Sequence, residues 1–557
     1  MNLWDCCRYN NTEELVAILE KVTNEGLYKK DRDRKNAMDH AVENGNIEIV
    51  KLLIDMRGFD LNVPCSNDGY YPLLLAVEKN NYEMSQFLIQ NRANINIKRK
   101  SKGYTALFYA INNNNIEIFK LLIENGADIN TKDNYGNTPL LLITSKFKSK
   151  NLEMCQILLD KKADIDEVNN DGNTALLLAV SKNNCIDIIK LLINKGANIR
   201  QMNKKGDNSL YYAIDRNNSE ICQLLIKKGA DIHTKDDVGN APLYYAIEST
   251  NTKVCKMLIK KGVDIHSTGN YGDTPLLQAT RRNNTELCRI LIDKKVDIHV
   301  KNDEDGNTPL LLAIDSSNTE ISLLLIEKGA DVNATNYDDH TPLLNAAKMN
   351  NTEICRLLLT EKNVDINAKS ISYETPLLYA ISNNNTEICR LLIAKGCDIN
   401  ATNYDDVWSP LLRATSYNNT EICRLLIENG ADVNATKKDG YGYTPLFYAI
   451  DRNNTEICRL LLLKGADATS VINDRDNNDT PLMVATRRRN HEVCRLLIAL
   501  GADINAKNKR GESPLSYSVK KSDVGMVYLL LFQLILSYKF LLTYIAVIIA
   551  VAAFYIK

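Results

Sequence analysis

The tripeptide Thr-Pro-Leu starts at Thr138, Thr274, Thr308, Thr341, Thr375, Thr444 and Thr480. Looser versions start at Asn36, Tyr71, Thr105, Thr174, Asn208, Ala241, Ser409 and Ser513, giving 15 anchors spaced 33 to 36 residues apart. A fixed period of this size restricts the chain to stacked supersecondary units, none of which buries its apolar face alone. A second element keeps the same beat. The nine residues NNTEICRLL begin at Asn350, Asn384, Asn418 and Asn453, at separations of 34, 34 and 35.

One period accounts for its own structure. Thr375 is a helix cap and Pro376 suits the first turn that follows. Leu377, Leu378, Ala380 and Ile381 then recur at helical spacing, predicting an inward face. Asn384 to Thr386 break that helix and cap the next, with Glu387 at the favourable end of the helix dipole. Ile388, Cys389, Leu391, Leu392 and Ile393 form a second apolar face. Gly396 ends the helix by accepting a left-handed conformation. The polar stretch after Asp398 and Ile399 is an extended finger. Each period is therefore helix, turn, helix, finger. Glu353 and Arg356, three residues apart on a second helix, predict a weakly paired, solvated outer face.

This pattern resembles the ankyrin repeat. The resemblance rests on the Thr-Pro-Leu anchors, the paired short helices, the endings such as Lys228–Ile232 and Lys328–Val332, and the period. It covers residues 26–530. Residues 3–22 look like a further helix pair without a finger, so residues 1–25 are expected to form an N-terminal cap. The implied fold is an all-α ankyrin-repeat solenoid of stacked helix-turn-helix units with extended, hairpin-like fingers. The family usually places His after Thr-Pro-Leu. Here that place holds Leu378, Leu311, Phe108, Tyr211, Tyr244 or Phe447, so apolar packing is expected to replace the family's hydrogen bonds.

Nine of the 14 cysteines share one repeat position: Cys155, Cys222, Cys255, Cys288, Cys355, Cys389, Cys423, Cys458 and Cys494. Helices pack about 8–10 Å apart, whereas a disulfide needs Cα atoms within roughly 7 Å. Equivalent cysteines therefore cannot pair, and they cannot converge on one zinc ion. They are expected to be small core hydrophobes of a chain kept in reducing cytosol. Adjacent Cys6 and Cys7 are a candidate reactive pair. His233, His266 and His299 recur at finger starts and mark a repeat position. There is no Gly-rich phosphate loop, HExxH or GxSxG, and no catalytic residue, metal ligand or cofactor site is expected. Lys plus Arg number 68 and Asp plus Glu 69, so no basic field draws the chain to nucleic acid. No small-molecule substrate is implied either.

If the repeat is scaffold, function sits where it varies. In ankyrin-like proteins that means finger tips and the ends of first helices. The candidates here are Tyr135, Tyr271, Arg281, Arg282, His340, Lys348, Met349, Tyr404, Trp408, Tyr417, Tyr441, Tyr443 and Arg452. Tyr404, Trp408, Tyr417, Tyr441 and Tyr443 fall in two successive fingers and the helix end between them. Trp and Tyr bury large areas with few rotors to freeze, the usual makeup of a binding hot spot.

The composition changes after Asp523. Residues 524–532 stand where a second helix stands in other repeats. Residues 540–556, FLLTYIAVIIAVAAFYI, carry no charge and lie between Lys539 and Lys557, the length of a short transmembrane helix. Residues 487–521 hold nine Lys or Arg against three Asp or Glu, which favours a cytoplasmic array. The sequence thus predicts a non-enzymatic protein-binding scaffold tethered by a single span to the cytoplasmic face of an intracellular or plasma membrane. An oligomeric channel component and a substrate adaptor for a ubiquitin-type ligase are the alternatives. No stretch outside the repeats has room for a catalytic domain.

Overall fold

The computed structural model describes residues 2–32, 34–64, 69–146, 149–182, 186–236, 238–269, 272–403, 407–437, 441–472 and 477–536. Among these residues the chain is helical, with one isolated bridge between Met202 and Asn208 and no strand. It forms two compact bodies, Met1–Ile265 and His266–Lys557. Within each body first helices stack on first helices and second helices on second helices.

The period at Thr375 folds as its residues dictate. Thr375 Oγ1 accepts from the Leu378 amide at 3.3 Å and opens the helix Pro376–Ser382. Leu377, Leu378, Ala380 and Ile381 are buried along it. Asn384 turns the chain at φ +58°. Asn385 Oδ1 then accepts from the Ile388 amide at 2.9 Å, starting the helix Thr386–Ala394. Gly396 closes that helix at φ +82°, where a side chain would be strained.

The doubled asparagine has a further role. Asn385 Nδ2 donates back to the preceding repeat, to Asn350 Oδ1 at 2.7 Å and Thr352 Oγ1 at 3.0 Å. Asn454 repeats this on Asn418 at 2.8 Å, and Asn490 on Asn453 at 2.8 Å. In the first body Asn115 does so on Asn80 at 2.7 Å and Asn251 on Asn217 at 2.6 Å. One Asn adopts the left-handed turn, its neighbour caps a helix, and the pair ties successive repeats together. The fingers are laddered likewise. Asn367 Oδ1 accepts from the Asp398 amide at 2.7 Å, Asn400 from Asp432 at 2.9 Å, and Asn434 from Asp467 at 2.8 Å.

Two expectations change. Arg356 pairs with Glu387 of the next repeat at 3.2 Å and Arg390 with Glu421 at 3.2 Å, rather than with the Glu three residues back. An Arg leaving the middle of one helix meets the first turn of its neighbour, so this outer face is a ladder between repeats. All of these pairs are about half exposed, so each adds little by itself. At the family's His position, Leu311 and Leu378 are fully buried. Tyr211, however, restores a polar tie, its hydroxyl donating to the carbonyls of Thr234 and Asn240.

The repeat-position cysteines are free and buried in the second helices. Burial pushes the thiols of Cys355, Cys389, Cys423 and Cys458 up to about 12. Cys6 and Cys7 are not a reactive pair. They lie inside the helix Leu3–Tyr9 with no exposed surface, and burial lifts Cys7 to about 12. That helix and Thr12–Leu19 are capped by Asn2 and Asn11; the first packs with the helix Ala37–Glu43 and the second with Ile47–Arg57.

Residues 524–536 form the last described helix, capped by Asp523, whose Oδ1 accepts from the Met526 amide at 3.0 Å. No helix among the described residues is long and apolar enough to cross a membrane. The candidate span 540–556 lies outside them.

Candidate partner-binding groove

Trp408 stands at the end of a finger. Its amide donates to Asn403 Oδ1 at 2.8 Å and its carbonyl accepts from the Asn403 amide at 3.3 Å. This closure fixes the backbone and aims the indole at the first helix of the next repeat, Pro445–Asp451. There it meets Tyr448, with ring centroids 5.9 Å apart and planes at 33°. Lys437 Nζ lies 4.6 Å from the Trp408 ring centroid, a cation–π contact that also holds the indole. Tyr443 sits 5.4 Å from Tyr448 and 5.5 Å from Phe447, and Tyr441 lies 6.1 Å from Tyr443. Five aromatic rings from one finger end and the following repeat thus form a connected wall.

Trp408, Tyr417, Tyr448 and Arg452 line a cleft of about 610 Å³. Its floor is an ion pair. Arg413 projects from the first helix Pro410–Ser416 and forms a bidentate pair with Glu374, at 2.5 and 2.8 Å. Glu374 also accepts from Asn403 at 3.2 Å, and Arg413 donates to Ser382 Oγ at 3.1 Å. The side chains are 11 % and 15 % exposed, so the two charges neutralise each other away from water. Arg452 is exposed and makes no ion pair among the described residues.

A second recess of about 270 Å³ adjoins the first, sharing Ser372 and Tyr379 with it. Lys348 lines its far side, exposed and without a carboxylate partner among the described residues. His340 is buried there and exchanges a 3.2 Å hydrogen bond with the Tyr379 hydroxyl. Burial and nearby Lys348 lower its pKa, so the neutral ring is favoured. Together the two recesses make one groove across four successive repeats, from Lys348 past Tyr379, Trp408 and Tyr417 to Arg452. Arg452 makes its far end cationic, Lys348 and Asp338 stand together at the near end, and its middle is aromatic.

The other sequence candidates fall elsewhere. Met349 is 45 % exposed beside Lys348. Arg281 pairs with Asp273 at 3.2 Å and Glu304 at 3.5 Å. Arg282, next to it, is exposed. Tyr135, 66 % exposed, belongs to the first body. Tyr271 and Tyr404 lie outside the described residues. The groove residues that sequence reasoning did not single out are Tyr379, Tyr448, Glu374 and Arg413. Three of them carry a signal. The fourth residue after the first residue of each anchor is Tyr379, Arg413 and Tyr448 here but Leu142, Leu312 or Val484 in other repeats. The position is buried where it is Leu142, Leu312 or Val484, and a larger or polar side chain there reaches the groove.

Among the described residues no group of three or more His, Cys, Asp or Glu could hold a metal ion. The family model for ankyrin repeats (3 copies) matches in successive overlapping stretches from residue 3 to residue 537, including 335–403 and 402–472. The chain belongs to the ankyrin-repeat family. The groove lies in the part of this ankyrin array matched by those two stretches. No curated protein matches the chain significantly. Ankyrin repeats serve as modules for binding other proteins.

Proposed function

We propose that this ankyrin array is a non-enzymatic scaffold whose partner docks in the groove between Lys348 and Arg452. The observation that carries the proposal is the aromatic cleft itself. Trp408, Tyr417 and Tyr448 are held open to solvent around a neutralised Arg413–Glu374 pair, with Arg452 unpaired beside them. Rigid aromatic side chains in a concave, partly desolvated setting supply most of the energy of protein–protein contacts. Unpaired Arg452 at one end suits a partner segment with an acidic residue beside an aromatic or aliphatic one, and Lys348 with Asp338 at the other end suits a polar or mixed-charge neighbour. We further propose that residues 540–556 tether the array to a membrane, leaving the repeats on the cytoplasmic side. The support is the uncharged stretch between Lys539 and Lys557 and the basic excess before it.

The test is capture of partners by the full chain beside a Trp408→Ala, Tyr417→Ala version with unchanged helical signal. Loss of about 2 kcal/mol at a hot spot corresponds to a roughly thirtyfold weaker complex. A discrete partner retained equally by both versions sinks the groove as the docking site. Flotation of the full chain with vesicles, abolished by deleting 540–557, tests the tether separately.

A further inference from the structure

The outer face of the second helices is a charged ladder until the last described helix, where it becomes apolar. In the repeats before it, Arg390, Arg424 and Arg459 each pair with a Glu one repeat on, namely Glu421, Glu456 and Glu492. Aligned on the same frame, residues 524–536 place Gly525 where those glutamates stand and Tyr528 where the arginines stand. The next rung is therefore missing. Arg495 is exposed and has no carboxylate partner among the described residues. Met526 and Leu530 are fully buried against the preceding repeat, so the helix is docked in the ordinary way. Its opposite face shows Val524 at 64 %, Tyr528 at 71 %, Phe532 at 60 % and Ile535 at 65 % exposure. These positions follow at four, eight and eleven residues from the first and form one stripe along the helix.

Two observations indicate what covers the stripe. The chain runs directly from this helix into residues 540–556, which carry no charge. The flanking surface is basic: Arg495 lacks its rung, Lys521 is exposed without an ion pair among the described residues, and Arg489 donates to the Lys521 carbonyl. An apolar stripe bordered by lysine and arginine is the makeup of a helix that lies in the headgroup layer of an anionic bilayer. We propose that helix 524–536 lies along an anionic membrane surface, with Tyr528, Phe532 and Ile535 in the interface and Arg495 and Lys521 facing lipid phosphates. The inference rests on the proposed tether, and deepens it by fixing which face of the array meets the lipid.

The experiment inserts full-length chain carrying Phe532→Trp into vesicles containing about one third phosphatidylserine. The emission added by the new tryptophan is read with and without brominated acyl chains. Tyr528→Trp serves as a second probe on the same stripe. The expected result is a blue shift and loss of the added emission with brominated lipid, both weakened when the vesicles carry no anionic lipid. Vesicles that retain the chain while the added emission stays unquenched overturn the inference and leave the tether standing. A chain that does not float with vesicles overturns both. A blue shift in lipid-free solution together with a dimer mass shows that a second copy covers the stripe, and overturns the lipid assignment.

Discussion

Removing the side-chain amide of Asn454 should loosen two repeats, not one. Asn454 Oδ1 caps the helix Thr455–Leu463 through the Ile457 amide at 3.0 Å. Its Nδ2 reaches back to Asn418 Oδ1 at 2.8 Å and Thr420 Oγ1 at 2.9 Å. Asn454→Ser keeps the cap and deletes both backward bonds. These lie near the surface, so about 0.5 kcal/mol each is the appropriate scale, giving about 1 kcal/mol. Asn454→Ala also loses the cap, worth about 1 kcal/mol more. Repeat arrays lose all-or-none behaviour as they lengthen, so the effect has to be read locally. Native-state hydrogen exchange resolves it. In the Ser variant, amides of both Thr420–Glu428 and Thr455–Leu463 should exchange about fivefold faster, and in the Ala variant the second helix about thirtyfold faster. If Thr420–Glu428 is unchanged in both variants, the asparagine ladder carries no energy between repeats and the reasoning fails.

Other expectations follow from single contacts. Arg413→Ala strands Glu374 in a setting 15 % exposed and should cost about 3 kcal/mol, measured as exchange in Pro376–Ser382 and Pro410–Ser416; Arg413→Ala with Glu374→Gln should recover much of it, and a double variant as unstable as the single one contradicts the pairing. Lys295 occupies at φ +60° the place that Gly396 holds at +82°, so Lys295→Gly should stabilise its repeat by about 1 kcal/mol, and a loss of stability contradicts it. The raised thiols set the sign of the alkaline response. Each buried thiol ionises higher when folded than when unfolded, so its contribution is complete below about pH 8.5 and is lost as pH rises towards 12. The array should therefore melt in alkali, and Cys389→Ala with Cys423→Ala should raise the pH midpoint; an unchanged midpoint removes the thiols from the account.

Much of the fold is legible in the sequence because every repeat repeats its local signals. Thr375, Pro376, Asn385 and Gly396 each satisfy a helix end by themselves, so the boundaries of both helices follow from chemistry within a few residues. What lies between repeats was less legible. The Arg356–Glu387 pair and the Asn385–Asn350 bond join residues 31 and 35 positions apart, and only the stacking offset decides which neighbours meet. The same limit explains the site. Trp408 and Tyr417 stand out as aromatics in variable places, but Tyr448 and Tyr379 sit inside apolar helical runs and look like core. Their rings turn outward because Leu446, Phe447, Ala449 and Ile450 already fill the inward side of that helix. Glu374 is the position before an anchor, where its reach to Arg413 depends on the next repeat.

The most direct measurement places a photo-crosslinking phenylalanine analogue at two positions of the full chain. One is Tyr417, which lines the aromatic cleft at 55 % exposure; the other is Leu463, 75 % exposed at the end of a second helix outside the groove. A discrete crosslinked partner is expected from position 417, lost with Trp408→Ala, and none from position 463. The same partner captured from 463 and not from 417 would place recognition on the outer helices and contradict the groove.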